Sequence, residues 1–265
     1  MNDVQRIALA VRYDGSAYHG WQAQDGLATI QQAVEKAASV VANHPVSVVC
    51  AGRTDAGVHA TGQVVHFDTH SDRDLRAWVF GVNSHLPPDI RVLWASIVPM
   101  TFHARFSAVQ RTYRYVLYNY DTRPGILRHF VGWYYRPLDA GRMQQAANYL
   151  LGEHDFSALR AAGCQAKHPI RHIRSIEVRR QRQLIVIEVT ANAFLLHMVR
   201  NMVGTLVRVG TGEAPPEWVA DVLASRDRSQ AGVTIAPNGL YLVHVQYQAG
   251  FSLPQTPVGP FFLPV

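Results

Sequence analysis

The sequence predicts an α/β (α+β) fold of two ferredoxin-like halves, their sheets joined and a cleft left between them. Three observations carry that reading. Segments with strand and helix periodicity follow one another in the same order twice along the chain. The two halves open their first helices alike, with Gln31-Gln32-Ala33 and Gln144-Gln145-Ala146. The composition, 48% hydrophobic and 17% charged over 265 residues, suits a packed core rather than a disordered chain.

In the first half, residues 6–12 read as a strand. Residues 29–43 read as a helix, because Thr29 and Gln32 form a capping box and Ile30, Ala33, Val34, Ala37 and Val41 recur at helical spacing. Strands follow at 46–50 and 63–68, a helix at 72–83 and a strand at 91–98. The second half opens with a strand at 111–118. A helix at 139–151 is capped by Asp139, closed by Gly152, and sets Met143, Ala146, Ala147, Leu150 and Leu151 on one face. Two strands flank the polar turn 180–183, an apolar helix covers 194–209, and 240–247 closes the half as a strand. The expected division is 1–105 and 106–248, followed by a tail, 249–265. That tail is rich in proline and apolar residues without periodicity and reads as an extended arm or a disordered end. Connections near 13–28 and 51–61 are long and Gly-rich, which marks them as functional.

The net charge of +6 favours an anionic partner. Only Lys36 and Lys167 of the 25 basic residues are lysines. Arginine forks onto phosphates and stacks on bases, so RNA is the natural expectation, with Arg-rich codon usage as the alternative. Two cysteines make no disulfide framework, and the short apolar stretch 7–11 after Asp3 is no signal peptide. No apolar run is long enough for a membrane span. The expected location is therefore the cytoplasm.

Chemistry concentrates in 51–60, where Asp55 stands between Gly52 and Gly57 with Arg53 two positions earlier. Glycines let such a loop turn tightly and let a ligand approach the backbone, and a nearby guanidinium favours the ionised carboxylate. The alternative is that Asp55 only bonds its own turn. Arg200 falls on an apolar helix face beside Leu196, Val203 and Val207. It is either a snorkelling surface residue or the buried partner of an acid from elsewhere, for which Asp55 is the candidate. Residues 101–120 interleave Phe102, His103, Arg105, Phe106, Arg111, Tyr113, Arg114 and Tyr115, a pattern suited to stacking bases and holding phosphates, or an ordinary aromatic strand. Cys164, His168 and His172 have a zinc-like spacing that Pro169 interrupts. No phosphate-binding Gly motif is present.

The stretches Tyr13-Asp14-Gly15-Ser16-Ala17-Tyr18-His19-Gly20-Trp21-Gln22 and Gly52-Arg53-Thr54-Asp55-Ala56-Gly57-Val58-His59 resemble the TruA family of tRNA pseudouridine synthases. Phe102-His103-Ala104-Arg105-Phe106-Ser107-Ala108, Tyr113-Arg114-Tyr115, Met198-Val199-Arg200-Asn201-Met202-Val203-Gly204 and Gly239-Leu240-Tyr241-Leu242 continue the likeness in order to about residue 248. The resemblance implies a pseudouridine synthase fold, two α/β halves joined by a central mostly antiparallel sheet, working as a homodimer. It implies conversion of uridine to pseudouridine on the 3′ side of the tRNA anticodon stem-loop, with neither cofactor nor metal. By the same resemblance Asp55 is the catalytic aspartate, Arg200 its ion-pair partner and Tyr113 the ring that stacks on the target base. Leu240 is an apolar residue beneath the base, and Arg53 and Arg105 handle RNA. Ser16 replaces the usual threonine, and the Pro-rich tail has no recognised counterpart. The other readings are a catalytically silent RNA-binding protein on the same scaffold and a synthase with other RNA targets.

Overall fold

The computed structural model describes residues 3–263, which divide into two compact units. One runs to Arg111 and takes up the chain again from Tyr241; the other is Thr112–Leu240. The fold is mixed α/β, and most of the strand pairs are antiparallel.

The first unit contains β1 (Gln5–Tyr13), α1 (Ile30–Ala42), β2 (Val49–Cys50), β3 (His59–Thr69), α2 (Leu75–His85) and β4 (Ile90–Val98). From Tyr241 it also takes β10 (Leu240–Tyr247). β1 lies between β4 and β3, antiparallel to both. β3 pairs on its far side with β2 at Val65 and His66, and in parallel with β10 at His59 and Ala60. This is the split βαβ arrangement expected of the first half. Ile7–Val11 are wholly buried, as a continuous apolar run requires of a strand covered on both faces.

Thr29 caps α1 as anticipated, accepting from Gln32 N and hydrogen bonding the Gln32 side chain. The strand expected at 46–50 shrinks to Val49–Cys50. The amides of Val46 and Val48 are taken by Ser39 Oγ and Glu35 Oε1 on α1, which removes them from any ladder.

The second unit contains β5 (Ala108–Asn119, from Thr112 on), β6 (Gly132–Tyr134), α3 (Ala140–Asn148), β7 (Gly152–Asp155), β8 (Ile170–Gln181), β9 (Leu184–Ala191), α4 (Met198–Gly210) and α5 (Trp218–Ser225). Its strands run β5-β9-β8-β7, with β6 parallel on β5. Asp139 caps α3 through the Arg142 amide. The helix expected at 194–209 begins only at Met198, because His197 takes a left-handed conformation (φ 57°) that residues inside a helix do not adopt. Leu196 therefore precedes the helix that carries Arg200. β6, β7 and α5 are additions to the expected order. No helix among the described residues is long and apolar enough to cross a membrane.

Candidate functional site

In the first unit, β2 and β3 deliver the loop that carries Asp55, and its main chain is held at Ala51, Gly52, Thr54, Asp55 and Val58. Ala51 N bonds Val64 O at 2.8 Å. Gln63, polar but wholly buried on β3, donates from Nε2 to Gly52 O at 2.6 Å and accepts from Gly52 N at 3.4 Å. The hydroxyls of Tyr13 and the buried Thr54 share a hydrogen bond of 2.8 Å, and Thr54 O accepts from Trp21 N at 2.9 Å. Asp55 O closes a turn by accepting from Val58 N at 3.1 Å, and Gly57 (φ 76°) supplies the left-handed step. Arg53 is exposed and Asp55 half-buried. The loop therefore offers a carboxylate on a fixed backbone.

The stretch from Tyr13 to Gln22 packs against this loop. A Cβ on Gly20 would lie 2.7 Å from Thr54 O, and one on Gly15 only 2.0 Å from Val58 O, so both glycines permit main chain to touch main chain. His59 Nδ1 lies 3.1 Å from both Gly15 N and Asp14 Oδ1. Burial opposes the charge of Asp14, but hydrogen bonds from His59 and Ser16 prevail and hold its carboxyl well below the usual carboxylate range.

Arg105 lies beyond β4 in a second loop of the same unit, and Arg111 clamps the two loops together. Its Nη2 donates to Ala51 O at 3.0 Å and to Arg105 O at 2.5 Å. Ala104 N donates to His66 Nδ1 at 3.1 Å, and Tyr247 OH donates to Ala104 O at 2.8 Å. At the tip, Phe106 is 75% exposed, stacks on His103 at 4.3 Å and lies 5.5 Å from the Arg105 guanidinium. An exposed ring beside arginine is a stacking platform for a base. Burial pushes the Cys50 thiol up to about 12 against the opposing pull of Arg53 and Arg105, so Cys50 stays a neutral thiol beneath both cations.

In the second unit, Tyr113 and Tyr115 lie on the same face of β5. Tyr113 is 8% exposed, and Phe194 meets its ring edge-on at 5.0 Å. Arg200 on α4 donates from Nε to Ile235 O at 2.9 Å, while Tyr115 OH donates to Ala236 O at 2.8 Å. Two consecutive carbonyls are thus held just before the turn Pro237–Gly239, which delivers the buried Leu240 to its place. The structure brings the Arg200 and Leu240 segments together within this unit. Among the described residues no three His, Cys, Asp or Glu side chains gather as metal ligands would; His172 is on β8 and Cys164 in the loop before it.

Sequence reasoning gave no supporting role to Gln63 or His59, and read Arg111 as one of an aromatic–arginine series rather than as a clamp between loops. Gln63 carries a usable signal, a polar side chain inside an otherwise apolar strand. The Arg111 clamp carries none, since its partners are carbonyl oxygens.

Residues 9–107 and 146–248 match the family model for tRNA pseudouridine synthase. A Coxiella burnetii protein named tRNA pseudouridine synthase A is 62% identical over 259 residues, covering 98% of this chain and 99% of the relative. Proteins of the same name from Vibrio cholerae and Aeromonas salmonicida are 55% and 56% identical, each over 98% of this chain and over 98% and 96% of their own lengths.

Proposed function

Because the chain belongs to the family of tRNA pseudouridine synthases, we propose that it isomerises uridine to pseudouridine in the anticodon stem-loop of tRNA, on its 3′ side, with Asp55 as the reacting group. The observation that carries this reading is the likeness, over nearly the whole chain, to proteins that bear that name.

The reaction breaks the bond from the ribose C1′ to the uracil N1, turns the base, and joins C1′ to C5. The hydrogen of C5 leaves to solvent and N1 takes up a proton, so no electrons enter or leave. The target base must quit its stack, which costs a few kcal/mol and calls for a replacement surface. Tyr113 supplies the ring and Leu240 an apolar wall. Asp55 adds to the ring, attacks the sugar carbon or removes a ribose proton, and each route needs a carboxylate rather than an amide. Arg200 is the proposed ion-pair partner of that carboxylate. Within the second unit its Nε is bonded to Ile235 O. Arg53 fills the space the base vacates or holds a phosphate, Arg105 contacts the RNA, and the exposed Phe106 platform supports an RNA partner.

The protein acts as a homodimer, as the likeness to the family implies, and in the cytoplasm, which suits the free Cys50 and Cys164. The test of the target is to treat the product tRNA with carbodiimide and read reverse-transcription stops. Stops on the 3′ side of the anticodon stem-loop are expected; stops confined to other regions overturn that assignment.

A further inference from the structure

The Pro-rich end of the chain enters none of the steps above, yet it reaches one residue on each of four strands of the first unit. Thr256 Oγ1 accepts from Trp94 Nε1 on β4 at 3.0 Å. Phe261 lies 5.4 Å from the Arg12 guanidinium on β1. The buried Gly259 sits so close to β3 that a Cβ would come within 2.7 Å of the Thr61 methyl. Phe262 meets Tyr241 on β10 edge-on, with ring centres 6.3 Å apart and planes at 68°. Where the arm begins, Phe251 packs edge-on against Phe102 at 5.2 Å.

From Tyr241 the contacts continue inward. Its ring stacks on the buried His59 at 4.8 Å and 22°. One nitrogen of that imidazole, Nδ1, faces both the Gly15 amide and the Asp14 carboxylate. A protonated Nδ1 donates to Asp14 and a bare one accepts from Gly15, so the plane of the ring decides how well either bond is made. Gly15 in turn rests on the Val58 carbonyl, and the N–H of the same residue is bonded to Asp55 O.

We propose that residues 249–263 are a strap that positions the Asp55 loop, with Phe262 as a positioning residue acting through Tyr241 and His59. Phe262 touches no reacting atom. It confines the Tyr241 ring, the ring fixes the imidazole, and the imidazole holds the Asp14–Gly15 wall against Val58. The strap rests on the proposed function only for its activity readout; the loop motion it predicts is measurable without substrate.

The experiment compares wild type with Phe262→Ala and Phe262→Tyr in the full chain. It follows hydrogen exchange of the peptide covering 51–60, kcat for tritium release from tRNA, tRNA affinity, and melting. Phe262→Ala should speed exchange in 51–60 and lower kcat by on the order of tenfold at unchanged tRNA affinity, well below the melting temperature. Phe262→Tyr, which keeps a ring against Tyr241, should restore both. An arm that only adds stability would lower the melting temperature and leave kcat and local exchange at wild-type values, which overturns the proposal. A wild type that releases no tritium defeats the proposed function, while the exchange comparison still decides the strap.

Discussion

Replacing Gly15 by alanine asks how closely the Asp55 loop is built. The added Cβ would lie 2.0 Å from the Val58 carbonyl oxygen and 2.8 Å from its carbon. Both are main-chain atoms, so no rotamer change relieves the clash. Taking the oxygen out to 3.4 Å, where ordinary contact begins, moves the Val58 carbonyl by about 1.4 Å. Val58 N–H bonds Asp55 O at 3.1 Å, so the displacement passes to the residue that carries the carboxylate. A misplacement of about 1 Å costs on the order of 100-fold in rate. Overpacking of this kind costs about 1–3 kcal/mol in stability. The assay is tritium release under steady state, with thermal melting alongside. Gly125→Ala serves as the control, since a Cβ there meets nothing within 4 Å. The Gly15 variant should lose about two orders of magnitude in kcat and melt earlier, while the control matches wild type. A wild-type kcat in Gly15→Ala refutes the claim that this contact sets the loop.

Three further outcomes are expected. Arg111→Leu removes the donors to Ala51 O and Arg105 O, so it should lower kcat and cost about 1–3 kcal/mol; chemical denaturation that shows wild-type stability would contradict it. Arg200→Met strips Ile235 O of its donor and Asp55 of the cation proposed for it, so rate and melting temperature should fall together, and neither changing would dismiss the pairing. His66 is held down at about 4, below its ordinary 6.5, by burial and then by the charges of Arg6 and His103. Its folded-state value lies below the unfolded one, so the unfolded chain binds the proton first. That contribution to stability is whole above pH 6.5 and is lost as the pH falls toward 4. His66→Gln, which keeps an acceptor for the Ala104 amide, should flatten this acid limb in urea melts; an unchanged slope counts against it.

Much of the fold was legible because periodicity and capping are local. Thr29 with Gln32 gave the start of α1, Asp139 gave the start of α3, and strand β10 falls on the residues expected for it. Boundaries moved where tertiary partners intervened. Ser39 and Glu35 took the amides that would have lengthened β2, and the left-handed His197 delayed α4 by a turn. Short strands such as β6 and β7 carry too few residues for any period to show. At the site, the Asp55 loop announced itself by its glycines. The supports of this loop and of the Arg105 loop did not, because Arg111 and Tyr247 bond carbonyl oxygens far along the chain, and a carbonyl has no sequence signature. The Pro-rich tail was unreadable for a related reason. Its contacts with Trp94, Arg12, Thr61 and Tyr241 fall on four strands scattered along the sequence, and no repeat along the tail marks them.

The most direct test of the central claim is tritium release from tRNA carrying uridine tritiated at C5, for wild type and Asp55→Asn side by side with tRNA binding measured for both. The account predicts release by the wild type and none by Asp55→Asn, with binding nearly equal, since the amide keeps the shape of the carboxylate and loses only its charge and chemistry. Release by Asp55→Asn, or no release by a wild type that binds tRNA, would contradict it.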